Sequence, residues 1–367
     1  MNSKKVTIIG IGKLGLCFAL VLEKKGYNVI GVDIDIDYVD SLNNKSFETS
    51  EPEVKDQLNK AKNFLATADL REGIEFSDII FLFVATPSLD NGRYDHNQID
   101  RVVEQLKNYS PMQKKYLIIG CTTMPGYCDT ISDRLNPFGY NVSYNPEFIA
   151  QGSVMKDLVN PDILLIGQCS KDAGELIIEI YSSILDSKPS IHRMNLKEAE
   201  ITKIALNCFL TTKIAYANMI GDIAKSSKCD PELILNAIGS DKRIGNRNLK
   251  YGYGYGGPCF PRDNRALSLY AQDLQLDAVI SKASDRSNKL HLDYQYKELL
   301  KNNSKDKPII FSDVAYKKGT DIIEESQKLA LAIKLSEEGY NVVIKDNKRV
   351  IDKIKSSIPN KFDFHEI

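Results

Sequence analysis

Tryptophan is absent from this 367-residue chain, and its other absences are more telling. The seven cysteines (17, 121, 128, 169, 208, 229 and 259) include no CxxC pair and no spacing typical of a disulfide framework. An odd count of this kind fits free thiols in a reducing cytoplasm. Four histidines form no HxxxH or HExxH, so no built-in metal site is expected. No apolar run approaches the roughly 20 residues of a membrane span. The opening MNSKKVTIIGIG lacks the apolar stretch and cleavage site of a signal peptide. Charge of one sign is also missing: the formal net charge is −1, which gives no general attraction to nucleic acid or anionic membrane. Neither a repeat nor a low-complexity tract stands out. What remains, at 43% apolar and 26% charged residues, is the composition of a globular protein with room for two or three cores.

The first half alternates strand-like and helix-like segments. VTIIGIG (6–12), YNVIGVD (27–33), DIIFLFVAT (78–86), YLIIGCT (116–122) and DILLIG (162–167) read as buried parallel strands, with helical spacing at 14–25 and 97–108. This alternation predicts a doubly wound α/β domain. From about 195 the texture changes. Residues 196–220 contain no Gly or Pro and read as part of one long helix. More helical sequence is expected at 231–239 and 264–288. KNNSKDKP (301–308) reads as a polar linker, followed by IIFSDVAY, a helix near 325–338 and the strand NVVIKD. The expected fold class is α/β in three parts: a Rossmann-like domain over 1–194, a central helical domain on a long spine over 195–300, and a small C-terminal α/β domain over 301–367.

Gly10-x-Gly12-x-x-Gly15 follows the first strand and opens a helix. Asp33 ends the second strand, 18 residues past Gly15, close to the interval expected of a dinucleotide site. The glycines admit a pyrophosphate to the helix N-terminus. A carboxylate at 33 accepts hydrogen bonds from a ribose diol and repels a 2′-phosphate, so NAD is expected rather than NADP. The competing interpretation is a tight turn with no ligand. Thr86 and Pro87, past the third main strand, are candidates for the nicotinamide side.

The stretch YGYGYGGPCFPRD (251–263) places Cys259 after a glycine run and between Pro258 and Pro261. An inert buried cysteine is the ordinary alternative. A thiolate beside a nicotinamide suggests attack on an aldehyde, hydride loss from a thiohemiacetal and hydrolysis of a thioester. Lys203 and Asn207, four apart on the long helix, share one face. The lysine alone reads equally as a solvated helix charge. The asparagine, in the apolar run Ala205, Leu206, Cys208 and Phe209, needs a partner.

Taken together, GYGGPCFPRD, NPEFIAQG (145–152), EAEITKIALN (198–207), CTTMPG (121–126) and SDKRIGN (240–246) resemble the UDP-glucose/GDP-mannose dehydrogenase family over about the first 290 residues. That family comprises NAD-dependent four-electron oxidoreductases that turn nucleotide sugars into uronic acids, such as UDP-glucuronate for polysaccharide biosynthesis. The resemblance implies a nucleotide-sugar substrate, no nucleic-acid or membrane partner, and a homodimer built on the long helix. It makes Cys259 the nucleophile and has Lys203 and Asn207 stabilise an alkoxide or oxyanion. Asp263 would assist through Lys203 and water, and Glu147 and Thr122 would position or activate the hydrolytic water. It places Gly10, Gly12, Lys13, Leu14, Gly15, Asp33, Thr86, Pro87, Thr122 and Arg262 against NAD. Phe148, Ile149, Lys203, Asn207, Arg243, Asn246, Tyr251, Tyr253, Gly256 and Lys317 fall to the substrate.

Three positions depart from the family's pattern. Gln151 stands where a second glutamate is frequent. Glu324, in FSDVAYKKGTDIIEES, replaces an arginine. The chain stops at FDFHEI, where relatives usually continue, so nucleotide recognition is expected to differ. Tyr255 and the RIGN loop resemble UDP-glucose enzymes, whereas CFPRDNRAL also resembles GDP-mannose enzymes. Pro258 speaks against the N-acetylhexosamine branch, whose loop usually ends in His-Cys. Two rival functions share features: a two-electron β-hydroxyacid dehydrogenase, which has no need of Cys259, and a non-catalytic binder of NAD or nucleotide sugar.

Overall fold

A computed structural model describes residues 4–109, 113–149 and 152–367. It divides into two compact units, Met1–Lys203 and Ile204–Ile367.

The first unit is built on an eight-stranded sheet. In chain order the strands are β1 (Lys5–Ile9), β2 (Asn28–Val32), β3 (Phe64–Thr67), β4 (Ile79–Leu82), β5 (Lys115–Ile119), β6 (Tyr140–Tyr144), β7 (Ile163–Gln168) and β8 (Ser190–Met194). Their spatial order is β3-β2-β1-β4-β5-β6-β7-β8, parallel throughout except between β6 and β7. Val6, Ile8 and Phe81 are buried on one face, and Ile9, Ile80, Leu82 and Leu117 on the other, as expected for strands covered on both sides. The chain runs outward from β1 to β3 and returns to β4 beside β1. That reversal makes a topological switch point, where ligands of open α/β sheets bind.

All five strands expected from sequence form. Three others were not legible. β3 has only four residues at a sheet edge, β8 is largely exposed, and β6 (YNVSY) is wholly buried yet carries Asn and Ser.

The helices of this unit are α1 (Lys13–Lys24), α2 (Ile36–Asn43), α3 (Val54–Lys60), α4 (Leu70–Phe76), α5 (Asn97–Lys107), α6 (Tyr127–Leu135), α7 (Val154–Val159) and α8 (Lys171–Ile184). The long helix is α9 (Leu196–Ser226), 31 residues with its start in the first unit and most of its length in the second.

In the second unit follow α10 (Pro231–Gly239), the glycine loop, α11 (Phe260–Asp273) and α12 (Val279–Asn302). The expected helix over 264–288 is in fact two. Helix α11 ends before Leu274, and Gln275 takes the left-handed conformation at φ 59°, a break that a long polar residue does not announce in sequence. The expected linker at 301 is also shorter, because α12 continues to Asn302. A three-stranded parallel sheet closes the unit, with β9 (Ile309–Ser312), α13 (Gln327–Glu337), β10 (Val342–Asp346), α14 (Lys348–Ser357) and β11 (Asp363–Glu366) in the order β11-β10-β9. The last strand was not anticipated. Among the described residues no helix is long and apolar enough to cross a membrane.

Candidate active site

In the first unit the parallel strands β1, β2, β4, β5 and β6 deliver their following residues to one edge of the sheet. Gly10 follows β1, Asp33 follows β2, Thr86 and Pro87 lie beyond β4, Thr122 beyond β5 and Glu147 beyond β6. Two of the three fingerprint glycines are sterically required. A Cβ on Gly10, at φ +83°, would lie 2.7 Å from the Phe83 carbonyl oxygen, and one on Gly15 would collide with the Gly10 carbonyl. A Cβ on Gly12 would meet nothing within 4 Å. Gly12 caps α1 with no side-chain hydrogen bond, so the N-terminus of that helix, with Lys13 and Leu14 in its first turn, lies open to an anion. Asp33 is partly exposed, its carboxylate accepting from the Asp35 amide at 3.3 Å. These residues fit a dinucleotide: a bare helix start for pyrophosphate and a carboxylate for a ribose diol. Thr86 is buried and donates to the Thr122 carbonyl at 2.8 Å, tying the β4 and β5 edge segments together; Pro87 is exposed.

Glu147 sits just past β6 with its carboxyl taken out of water, although the residue as a whole keeps some exposure. Burial pushes the carboxyl up to about 7, against the opposing Tyr181 hydroxyl and Lys203 ammonium. Tyr181, on α8, donates to this carboxyl. Lys203 is only 7% exposed, so it is not a solvated helix charge. Its ammonium donates to the Glu147 carbonyl at 2.6 Å and stands 4.4 Å from the Phe148 ring centre. Ile149 is partly buried beside them, and Gln151 lies outside the described residues.

The raised carboxyl has a consequence for stability. The folded state holds this proton more tightly than the unfolded chain, so stability is fully present below the ordinary value of 4.5 and falls as pH rises towards 7. The loss is expected to be on the order of 3 kcal/mol. Glu147→Gln keeps an acceptor for Tyr181 and lacks the slope. Denaturant unfolding at pH 5 and pH 8 should therefore show the variant gaining on the wild type at the higher pH; an unchanged difference contradicts the assignment.

Two residues that sequence reading missed hold the CTTMPG segment. Buried Glu200 accepts from the Thr123 hydroxyl (2.7 Å) and from the amides of Gly126 (2.6 Å) and Cys128 (2.9 Å), where α6 begins. His96 accepts from the Met124 amide at 3.2 Å and stacks on Tyr127 with ring centres 3.7 Å apart. Burial lowers this ring to about 4, which keeps it neutral as that bond requires. Nothing in the sequence separates this glutamate or this histidine from surface residues.

In the second unit Cys259 is exposed and caps α11, so its sulfur lies where the helix dipole favours negative charge. The Asp263 amide donates to the Cys259 carbonyl at 2.9 Å. Asp263 is 1% exposed and accepts from the Asn207 amide nitrogen at 2.7 Å, the partner that the asparagine called for. Arg262 approaches the same carboxylate at 3.5 Å. Upstream, Tyr316 packs on Gly257, where a Cβ would strike the ring, and the Gly257 amide donates to the Glu324 carbonyl at 3.0 Å. The segment carrying Glu324 therefore lies against the cysteine loop, with the Glu324 side chain exposed and Glu325 paired with Arg265. A cavity beside the loop is lined by Tyr253, Gly256, Tyr316, Lys318 and Lys328. Tyr251 donates to Asp222 at 3.0 Å. Of the remaining expected substrate contacts, Arg243 pairs with Asp241 and is 88% exposed, and Asn246 and Lys317 are exposed. Among the described residues no cluster of His, Cys, Asp or Glu could hold a metal ion.

Comparison with known proteins agrees with this geometry. The NAD-binding domain of the UDP-glucose/GDP-mannose dehydrogenase family matches residues 4–185, and the central domain of the same family matches 197–290. A UDP-glucose 6-dehydrogenase of Pseudomonas aeruginosa is 30% identical over 354 residues, covering 92% of this chain and 78% of that protein. The chain belongs to the UDP-glucose/GDP-mannose dehydrogenase family. It is an NAD-dependent nucleotide-sugar 6-dehydrogenase. A GDP-mannose 6-dehydrogenase of Pseudomonas syringae is 28% identical, over 97% of this chain and 85% of its own. The solved UDP-glucose dehydrogenase of Pyrobaculum islandicum superposes with a TM-score of 0.92 at 25% identity, covering 100% of this chain and 87% of that one.

Proposed function

We propose that the chain oxidises the C6 hydroxyl of UDP-glucose to the carboxylate of UDP-glucuronate through a thiohemiacetal and a thioester on Cys259. The observation that carries this reading is the exposed Cys259 thiol at the start of α11, next to buried Asp263 and its partner Asn207. A two-electron hydroxyacid dehydrogenase has no use for such a thiol.

NAD, when bound, would supply the hydride acceptor, one molecule for each of the two oxidations. In the first, a hydride leaves C6 and a proton leaves O6, giving an aldehyde. The Cys259 sulfur then bonds to C6, and the ammonium of Lys203 and the amide of Asn207 stabilise the oxygen anion that forms. Loss of a second hydride from C6 converts this adduct to a thioester. Water attacks the thioester carbonyl, the C–S bond breaks and the thiolate is restored. Glu147, with a carboxyl pushed up to about 7, has the proton affinity of a general base for that water at neutral pH, with Thr122 helping to position it. Arg262 and Asp263 order the first turn of α11 around the nucleophile.

UDP-glucose is favoured by the RIGN loop, by Tyr255 in GYGG and by the fold shared with a UDP-glucose dehydrogenase. A panel of nucleotide sugars assayed for NAD reduction tests the choice. UDP-glucose is expected to give the highest kcat/KM, and preference for GDP-mannose by tenfold or more would overturn it. The proposal extends to a homodimer. Phe209, Tyr216 and Ile223 recur at every seventh position of α9 and stay 65%, 44% and 57% exposed, an apolar stripe suited to a second copy; the expected mass in solution is twice that of the chain.

A further inference from the structure

We propose that His291 is a positioning residue for the cysteine loop and that it seats the loop only as an imidazolium. The inference rests on the proposed function only in taking Cys259 as the nucleophile.

Within the second unit the loop before Cys259 is held between α9 and α12 by side chains that bond its backbone. From α9, Asn218 accepts from the Gly252 amide at 3.0 Å and donates to the Tyr253 carbonyl at 3.3 Å. From α12, Asn288 bonds both the amide and the carbonyl of Tyr255, at 3.0 and 2.9 Å, and Gln295 donates to the Gly252 carbonyl at 3.0 Å. Asn288, His291 and Gln295 lie three and four residues apart, on one face of the helix.

His291 stands in the middle of this seat and is 2% exposed. Its Nε2 is 2.7 Å from the Gly252 carbonyl oxygen, and its Nδ1 is 2.9 and 2.8 Å from the two oxygens of Asp222. Neither partner has a proton to give: one is a carbonyl, and the other is a carboxylate that already accepts from the Tyr251 hydroxyl. A neutral imidazole carries one N–H, so either tautomer would press a lone pair against an oxygen. The imidazolium donates at both nitrogens and satisfies the site.

The other clamps are carboxamides, which do not titrate. Histidine is the side chain whose charge changes near neutrality. The titratable groups against the ring are Asp222 on α9 and Tyr251 in the loop, whose ring centre lies 5.6 Å from that of His291. Burial, and then Asp222, push the Tyr251 hydroxyl up, so it stays neutral and keeps donating. Only Asp222 among them bonds the ring directly, and both of its oxygens accept from Nδ1.

Hydrogen exchange on the full chain tests this without reference to turnover. Peptides covering 249–259 are followed at pH 6 in the wild type and in His291→Gln, whose carboxamide donates from one nitrogen only, and corrected for intrinsic rates. Protection at the Gly252 and Tyr255 amides is expected to be about tenfold or more lower in the variant, the scale of one charge-assisted bond. Equal protection in the two proteins overturns the proposal. Should the variant fail to fold, nitrogen–proton correlation of the wild-type histidine rings at pH 6 decides. Two solvent-protected N–H signals from one ring support the imidazolium, and their absence overturns it. Because neither readout involves NAD or sugar, failure here leaves the proposed reaction standing, and failure of the reaction leaves the loop seat to be judged on its own.

Discussion

Cys259→Ser is expected to lower turnover of UDP-glucose by about four decades or more, the scale seen when a covalent nucleophile is removed. A serine hydroxyl in the same place is a far weaker nucleophile than a thiolate, and the dipole of α11 does little for a group that stays protonated. Binding should survive. The loop is seated by backbone bonds from Asn218, Asn288 and Gln295 and by the contact of Gly257 with Tyr316, none of which involves the sulfur. Calorimetric affinity for the nucleotide sugar is therefore expected to stay within a few-fold of wild type. Any adduct that does form would be an oxygen ester, slower to hydrolyse and visible as added mass on the intact chain. Undiminished turnover in this variant would remove Cys259 from the mechanism.

Lys203→Ala is expected to lower kcat by two decades or more, the loss associated with a single donor to a developing oxyanion. Lys203 is buried, its charge anchored on the Glu147 carbonyl and set against the Phe148 ring. An ammonium held in low dielectric stabilises a nearby negative charge far more than one in water. The substitution also removes a charge that opposes the rise of the Glu147 carboxyl, so the residual activity should need a higher pH. An effect confined to KM would instead mark Lys203 as a binding residue.

Much of the fold was legible because its strongest signals are local. Five buried strands announced themselves as short apolar runs, and α9 as a long stretch free of Gly and Pro. The glycine fingerprint carried its own reason, since Gly10 and Gly15 admit no Cβ. Strand β6 escaped because its inward positions include Asn141 and Ser143, which only the packed sheet identifies as buried. The break between α11 and α12 escaped because Gln275 adopts a left-handed conformation usually left to glycine or asparagine. For the site, sequence named Cys259, Lys203, Asn207, Asp263 and Glu147 as candidates, and the structure pairs Lys203 with Glu147 and Asn207 with Asp263. Tyr181, Glu200, His96 and His291 were invisible, because each acts through a partner 28 to 77 residues away in sequence. Such pairings are made by topology, and no local pattern encodes them.

The most direct test of the central claim is the yield of NADH when a limiting, weighed amount of UDP-glucose is taken to completion with excess NAD. Oxidation of C6 from alcohol to carboxylate through a Cys259 thioester requires two NADH for each UDP-glucose consumed, with UDP-glucuronate as the product. One NADH per sugar, or none, would contradict it.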